Sequence, residues 1–139
     1  MTEEQKKQSL RLACGQHLKD TRTALNLSQI EFAKLVGMDR SYYARVEAGR
    51  TNTSLDTLEK IRGCSVTTVP RFARLVDEVG YRISLARQGH FSQEGLSEAA
   101  GLGVFYVGRL ERGLTNPGLD QIEAIADALG RDGMDFLAV

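Results

Sequence analysis

The chain has 139 residues, of which 42% are hydrophobic and 26% are charged, as is usual for a folded globular protein. The N-terminal stretch 1–10 is charged rather than apolar, and no apolar run is long enough to cross a membrane, so we expect neither a secretory signal nor a membrane anchor. We therefore expect a cytoplasmic protein.

The overall charge is zero, but it is divided unevenly along the chain. Residues 1–69 carry 11 Lys/Arg and 8 Asp/Glu, whereas residues 70–139 carry 7 and 10. Because nucleic-acid binding depends on cationic contacts with phosphates, only the first half has the charge that such binding favours.

The first predicted helix spans Leu10 to Leu25, where Leu10, Cys14, Leu18 and Leu25 are spaced to form one buried face. A second helix follows Asn26 and Leu27, which interrupt this pattern.

The second and third predicted helices are both short. Ser28 can cap the second helix, and Glu31 completes a capping box. Gly37 ends that helix, and Asp39 caps the helix 40–47. Two short helices joined by a tight, glycine-containing turn are typical of a helix-turn-helix. After Gly49 and a polar loop, three leucine or isoleucine positions, 55, 58 and 61, predict a fourth helix.

The same pattern occurs twice in the chain. Residues 27–61 align without a gap with residues 91–125, at an offset of 64. The repeated positions include Ser28/Ser92, Gln29/Gln93, Gly37/Gly101, Glu47/Glu111, Gly49/Gly113, Asn52/Asn116 and Leu55/Leu119. Such a period is too long for a solenoid repeat, which has about 20–50 residues, so it predicts two domains, 1–73 and 74–139.

The run Ser-Gln-x-x-x-Ala-x-x-x-Gly, followed by Glu-x-Gly and a leucine-containing helix, resembles the phage-repressor-like (xenobiotic response element, Cro/C1-type) helix-turn-helix family. The resemblance covers nearly all of residues 10–76 and 75–139. It implies an all-α protein of two tandem lambda-repressor-like domains, each with five helices.

The resemblance also implies a DNA-binding surface, with helix 40–47 in the major groove. The residues that would face the bases are Arg40, Ser41, Ala44 and Arg45. Positions resembling phosphate contacts are Gln29, Arg50, Thr51 and Asn52, and Tyr42, between the two groups, could also contact a phosphate. Arg22 and Glu47 match a structural salt bridge. The alternative for Arg40 and Arg45 is a solvated helix face, and the alternative for residues 50–52 is a plain turn.

The second unit keeps this scaffold but changes the surface. Its equivalents of the base-facing residues are Val104, Phe105, Gly108 and Arg109, beside Gln93, and Glu94 and Glu98 add negative charge. Arg87 and Glu111 match the salt bridge. Three interpretations stay open for Val104 and Phe105: contact with thymine methyl groups, a protein or self-association surface, or core in an altered fold.

The two units have no linker between them. Phe72 aligns with Phe136, and Thr68 and Pro70 fit the start of a fifth helix, so one helix from about Pro70 to Gln88 is predicted to serve both units. Gly80 could kink it.

The sequence therefore predicts a sequence-specific double-stranded DNA-binding transcription regulator, a repressor in the favoured interpretation. The second unit would then hold two chains together as a homodimer. One alternative is a single-chain pseudo-dimer that reads half-sites about 34 Å apart. Another is a protein-interaction or antitoxin-like module.

An enzyme is not expected. His17 and His90 are isolated, and no hydrolase, zinc-protease or phosphate-loop motif is present. Cys14 and Cys64 lack CxxC spacing and predict reduced thiols, so the sequence suggests no metal or cofactor.

Overall fold

The computed structural model of the chain describes residues 3–62 and 74–137. Within these ranges the structure is helical apart from one isolated β-bridge, which confirms the all-α prediction. The helices are α1 (Glu3–Ala24), α2 (Gln29–Val36), α3 (Arg40–Glu47), α4 (Leu55–Arg62), α5 (Leu75–Arg87), α6 (Gln93–Ala99), α7 (Tyr106–Glu111), α8 (Leu119–Leu129) and α9 (Met134–Leu137). None of these helices combines the length and the apolar character that a bilayer-spanning segment needs.

Local capping sets the ends of the helices in the first helix-turn-helix. The Ser28 hydroxyl accepts a hydrogen bond from the Glu31 amide at 3.1 Å, and the Glu31 carboxylate accepts one from the Ser28 amide at 3.0 Å. Gly37 then ends α2 with a φ of 71°, in the left-handed region that glycine adopts at little cost. Asp39 begins α3 by accepting from the Tyr42 amide at 3.0 Å. The predicted bounds of α2 and α3 are confirmed, whereas α1 begins at Glu3 rather than at Leu10.

The second helix-turn-helix differs at the start of its third helix. Its position equivalent to Asp39 is Gly103, which has no side chain to cap a helix. Helix α7 accordingly begins at Tyr106, two positions later than α3. Val104 and Phe105, the equivalents of the first two residues of α3, therefore lie in the turn before α7, with Phe105 at its N-cap position.

The helix predicted to run from Pro70 to Gln88 begins at Leu75. Arg74 precedes it in an extended conformation, with φ −121° and ψ 142°. The Leu75 amide donates a 2.8 Å hydrogen bond to the Glu59 carboxylate of α4, which satisfies one free N–H of the first turn. The predicted start at Thr68 to Pro70, and Phe72, lie outside the described residues. The shared helix is not confirmed, because the extended Arg74 separates α5 from any helix before it.

Gly80 permits close packing of α5 against α7. A Cβ atom at this position would lie 2.8 Å from the carbonyl oxygen of Leu110, too close for any other residue. Gly15 has the equivalent place on α1, where a Cβ would overlap the carbonyl of Glu47. Each unit therefore uses a glycine in its first helix to approach its third helix.

The two units share one hydrophobic core. Helix α1 packs against α3 of its own unit and also against α8 and α9 of the second unit. Helix α5 packs against α7 and α9 and also against α4 of the first unit. The first helix of each unit thus contacts the fourth helix of the other, which makes the two units mutually dependent.

The loops before the fourth helices join the units. Residues 52–56 and 116–120, here called the inter-unit junction, run antiparallel and form a β-bridge between Ser54 and Gly118. The Leu55 amide donates to the carbonyl of Pro117 at 2.9 Å, and the Leu119 amide donates to the carbonyl of Thr53 at 2.9 Å. The two bonds are equivalent under the repeat, because Leu55 corresponds to Leu119 and Thr53 corresponds to Pro117, 64 residues later.

Two asparagines cap helices across the junction. The Asn52 side-chain oxygen accepts from the Asp120 amide of α8 at 2.8 Å. In the reciprocal contact, the Asn116 oxygen accepts from the Asp56 amide of α4 at 3.1 Å. The junction therefore has local twofold pseudo-symmetry within a single chain.

Candidate nucleic-acid interface

Helix α3 presents a polar face to solvent and an apolar face to the core. Arg40, Ser41 and Arg45 are exposed, whereas Tyr43 and Val46 are 0% and 3% exposed. The alternation follows from the helical period, which places residues three or four apart on one face. Two half-buried residues, Tyr42 and Ala44, lie at the edges of the exposed face.

The guanidinium carbon of Arg45 lies 5.6 Å from the centre of the Tyr42 ring. This distance is within the range of a cation–π contact, which restricts the guanidinium without using any of its N–H donors. Arg45 is therefore oriented and still able to form hydrogen bonds.

A buried salt bridge fixes α3 against α1. Arg22 donates to the two carboxylate oxygens of Glu47 at 2.9 and 2.7 Å, and the side chains are only 11% and 4% exposed. Gln29 donates to the same carboxylate at 3.3 Å, so α2 is held as well. Burial disfavours the charged carboxylate, but hydrogen bonds from Arg22 and the neighbouring side chains hold the pKa of Glu47 below its ordinary value. The exposed face of α3 is thus rigidly placed.

The residues of the loop after α3 belong to two different surfaces. Arg50 is exposed and Thr51 is half-buried beside the end of α3. Asn52 instead belongs to the inter-unit junction, where its nitrogen also donates to Gln121 at 3.2 Å. The structural use of Asn52 was missed by sequence reasoning, although the matching Asn116 in the repeat was a usable signal.

The second unit repeats this framework. Arg87 donates to both oxygens of Glu111 at 2.6 and 2.9 Å, and Gln93 donates to the same carboxylate at 3.1 Å. The scaffold of the first unit is therefore reproduced, including the half-buried glutamine at the start of its second helix.

The exposed side chains of the second unit differ in chemistry. Val104 and Phe105 are 42% and 69% exposed, so neither joins the core. Arg109 is exposed and Gly108 is buried against the Gln93 side chain. Of the three interpretations, core in an altered fold is therefore wrong for Val104 and Phe105.

The remaining groups with possible chemistry are the metal-ligating residue types and the cysteine thiols. In the part of the chain that the structure describes, no group of three or more His, Cys, Asp and Glu side chains could hold a metal ion. Cys14 is buried, and burial raises the pKa of its thiol to about 12, which keeps it protonated and unreactive. Cys64 lies outside the described residues.

Two helix-turn-helix scaffolds, each presenting a third helix on a rigid frame, define the chain as an all-α helix-turn-helix protein. The profile of the helix-turn-helix family HTH_3 matches residues 18–62 and again residues 83–136. The chain belongs to this family and contains it twice, so its class is that of the DNA-binding transcription regulators.

Two curated relatives agree with this assignment. Over 71 residues the chain is 37% identical to the control protein C.MunI of a Mycoplasma species, covering 50% of the chain and 96% of that protein. Over 52 residues it is 38% identical to the immunity repressor protein of Bacillus phage phi105, covering 37% of the chain and 36% of that protein. No solved structure matches the chain.

Proposed function

We propose that the protein is a sequence-specific double-stranded DNA-binding regulator that represses transcription by occupying promoter DNA. The observation that carries the proposal is the exposure of Arg40 and Arg45 on α3, a helix held by a cap and a buried salt bridge. Helix α3 would lie in the major groove, and its fixed placement would keep both guanidinium groups in register with the bases. The names of the relatives, a control protein and an immunity repressor, support regulation of transcription.

Base reading is assigned to the exposed face of α3. A guanidinium can donate two hydrogen bonds to O6 and N7 of guanine, and one such pair discriminates against other bases by about 1–3 kcal/mol. Ser41 and Ala44 are small, so they would allow the helix to approach the base edges closely. The cation–π contact with Tyr42 would keep Arg45 extended toward the groove.

Phosphate contacts are assigned to the residues around this face. Arg50 is exposed and supplies charge, while Gln29, Tyr42, Thr51 and Asn52 supply hydrogen-bond donors. Asn52 would have to combine this with its bonds in the inter-unit junction. Contacts of this kind add affinity for any DNA and make binding weaken as salt is raised.

The proposal is tested with DNA selected from a random pool by the full chain. Arg40→Ala and Arg45→Ala should each lower affinity for the selected site about 5- to 150-fold at fixed salt and relax the preference at one base pair. Arg131→Ala is the matched control, because it removes one exposed charge far along the chain from α3. Equal affinity and equal base preference for both α3 variants would contradict the proposal, and a promoter reporter tests whether binding represses.

A second candidate function is an antitoxin-like protein-interaction module. The 69% exposure of Phe105, which lines a cleft together with the acidic Glu94, favours it. Such a module would show little DNA affinity and no steep loss of binding between low and high salt. The salt dependence of binding to the selected duplex therefore separates the two candidates.

A further inference from the structure

We infer that one chain binds one operator made of two unlike half-sites, with α3 on the first half-site and Phe105 and Arg109 on the second. This inference rests on the proposed function and specifies its stoichiometry and target. It replaces the homodimer expected from sequence with a pseudo-dimer inside the chain.

The inter-unit junction already provides the contact that a homodimer would need. A twofold dimer pairs one surface patch with its own copy. Here the patch at 52–56 pairs with its equivalent at 116–120 in the same chain, and Thr53, Leu55 and Leu119 are at most 2% exposed. A second chain could use these edges only by first breaking the bonds between the units.

The symmetry of the junction relates α3 to α7. A twofold rotation leaves positions along its own axis unchanged, so this symmetry, extended to the whole units, would place the two third helices at the same height along the axis of the junction. The repeated salt bridges, Arg22–Glu47 and Arg87–Glu111, hold both helices in the same way to their first helices. In the proposed arrangement both exposed faces point to one duplex, as the two subunits of a helix-turn-helix dimer meet one duplex.

The two faces would read different bases. The first carries Arg40 and Arg45, both suited to guanine. The second keeps an arginine, Arg109, but replaces the other with Val104 and has Phe105 in place of Ser41. An apolar side chain in the major groove recognises the 5-methyl group of thymine.

The space beside Phe105 suits such a contact. A cleft of about 270 Å³ lies between Phe105 and Gln93, open because Gly108 has no side chain. The flanking Glu94 would repel phosphates, so the second unit would depend on being carried to the DNA by the first. Because both units belong to one chain, binding of the first unit brings the second unit to the DNA, and the second contact is then intramolecular.

The first experiment measures the number of chains in the complex with the selected duplex, by sedimentation and by native mass spectrometry. We expect one chain per duplex at all protein concentrations, and a footprint of two major-groove segments about one helical turn apart. Two chains per duplex, or protection of one half-site only, would overturn the inference. Self-association through Phe105 would appear as the two-chain outcome.

The second experiment uses DNA in which thymine is replaced by deoxyuridine, which removes only the methyl group. In the second half-site this replacement should lower the affinity of the unaltered chain about three- to tenfold and leave that of Phe105→Ala unchanged. The same replacement in the first half-site is the control and should affect both proteins equally. Equal losses for both proteins at the second half-site would refute the methyl contact, and because Phe105 is 69% exposed its truncation should leave folding intact.

Different results would refute the proposed function and the single-chain arrangement. If the random pool returns no preferred sequence, the proposed function is wrong and the inference falls with it. If a preferred sequence is returned but is bound by two chains, the DNA-binding function stands and only the single-chain arrangement is refuted.

Discussion

The carboxyl group of Glu123 is buried between the two units without full compensation. The residue is 7% exposed, and its Oε2 has no hydrogen-bond partner among the described residues. Burial is the main reason why its pKa is raised to about 7. A hydrogen bond with the backbone N–H of Leu10 lowers the pKa, the charges of Asp127 and Asp120 raise it, and the charge of Arg11 lowers it. The side chain is therefore proton-bound in slightly acidic solution and charged in alkaline solution.

This pKa makes stability depend on pH. The ordinary value of a glutamate is 4.5, so between pH 4.5 and about 7 the native state binds more protons than the unfolded state. Stability contributed by this site consequently falls as pH rises through that window. Each pKa unit corresponds to about 1.4 kcal/mol, so the destabilisation above the window is about 3 kcal/mol.

Replacing Glu123 with Gln keeps the shape and removes the charge. We expect Glu123→Gln to stabilise the protein, by an amount that grows by about 2 kcal/mol between pH 5 and pH 8. The measurement is urea denaturation followed by far-UV circular dichroism at both pH values. Arg131 and Asp132 border the same cleft as Glu123. Repeating the denaturation at high salt screens their charges and so separates their effect on Glu123 from the effect of burial.

Glu59 provides the matched control, because it is the equivalent residue of the first unit. Its carboxylate accepts a hydrogen bond from the Leu75 amide at 2.8 Å and so stabilises the start of α5. Glu59→Gln should weaken the protein by about 0.5–1 kcal/mol at pH 8, the opposite sign. A Glu123→Gln effect that is the same at pH 5 and pH 8 would refute the reasoning.

The remaining predictions concern the two third helices. Arg22→Ala should cost about 3 kcal/mol in urea denaturation, because Glu47 would stay buried and charged without its guanidinium. Adding Glu47→Gln to that variant should recover part of the loss, and no recovery would mean that packing rather than charge is responsible. Gly103→Asp should stabilise by about 0.5–1 kcal/mol and increase amide-exchange protection at the start of α7, because it restores the missing cap where space is free. Unchanged protection there would show that the late start of α7 has another cause.

The helix-turn-helix could be predicted from sequence because its determinants are local. Ser28 and Glu31 bond to each other's backbone across three residues, and Asp39 reaches the amide three residues ahead. A cap of this kind depends on residue type and spacing alone. The same logic, applied to Gly103, would have predicted the late start of α7.

The partners of the helices could not be predicted in this way. The spacing of Leu10, Cys14 and Leu18 shows that one face of α1 is buried but not what covers it. Much of that cover comes from α8, to which Arg11 is joined by a salt bridge to Asp120, 109 residues away in sequence. The helix propensities of both segments would be the same if each unit packed on itself.

The proposed single-chain arrangement would also explain why the two copies differ more at some positions than at others. In a homodimer, any substitution in the third helix alters both half-sites at once. In the proposed pseudo-dimer, the difference between Arg40 and Val104 alters one half-site and leaves the other intact. Asn52 and Asn116 have no such freedom, because each caps a helix of the other unit. The repeat keeps this pair where the units touch, whereas Arg40/Val104 and Ser41/Phe105 differ where each unit would meet its own DNA sequence.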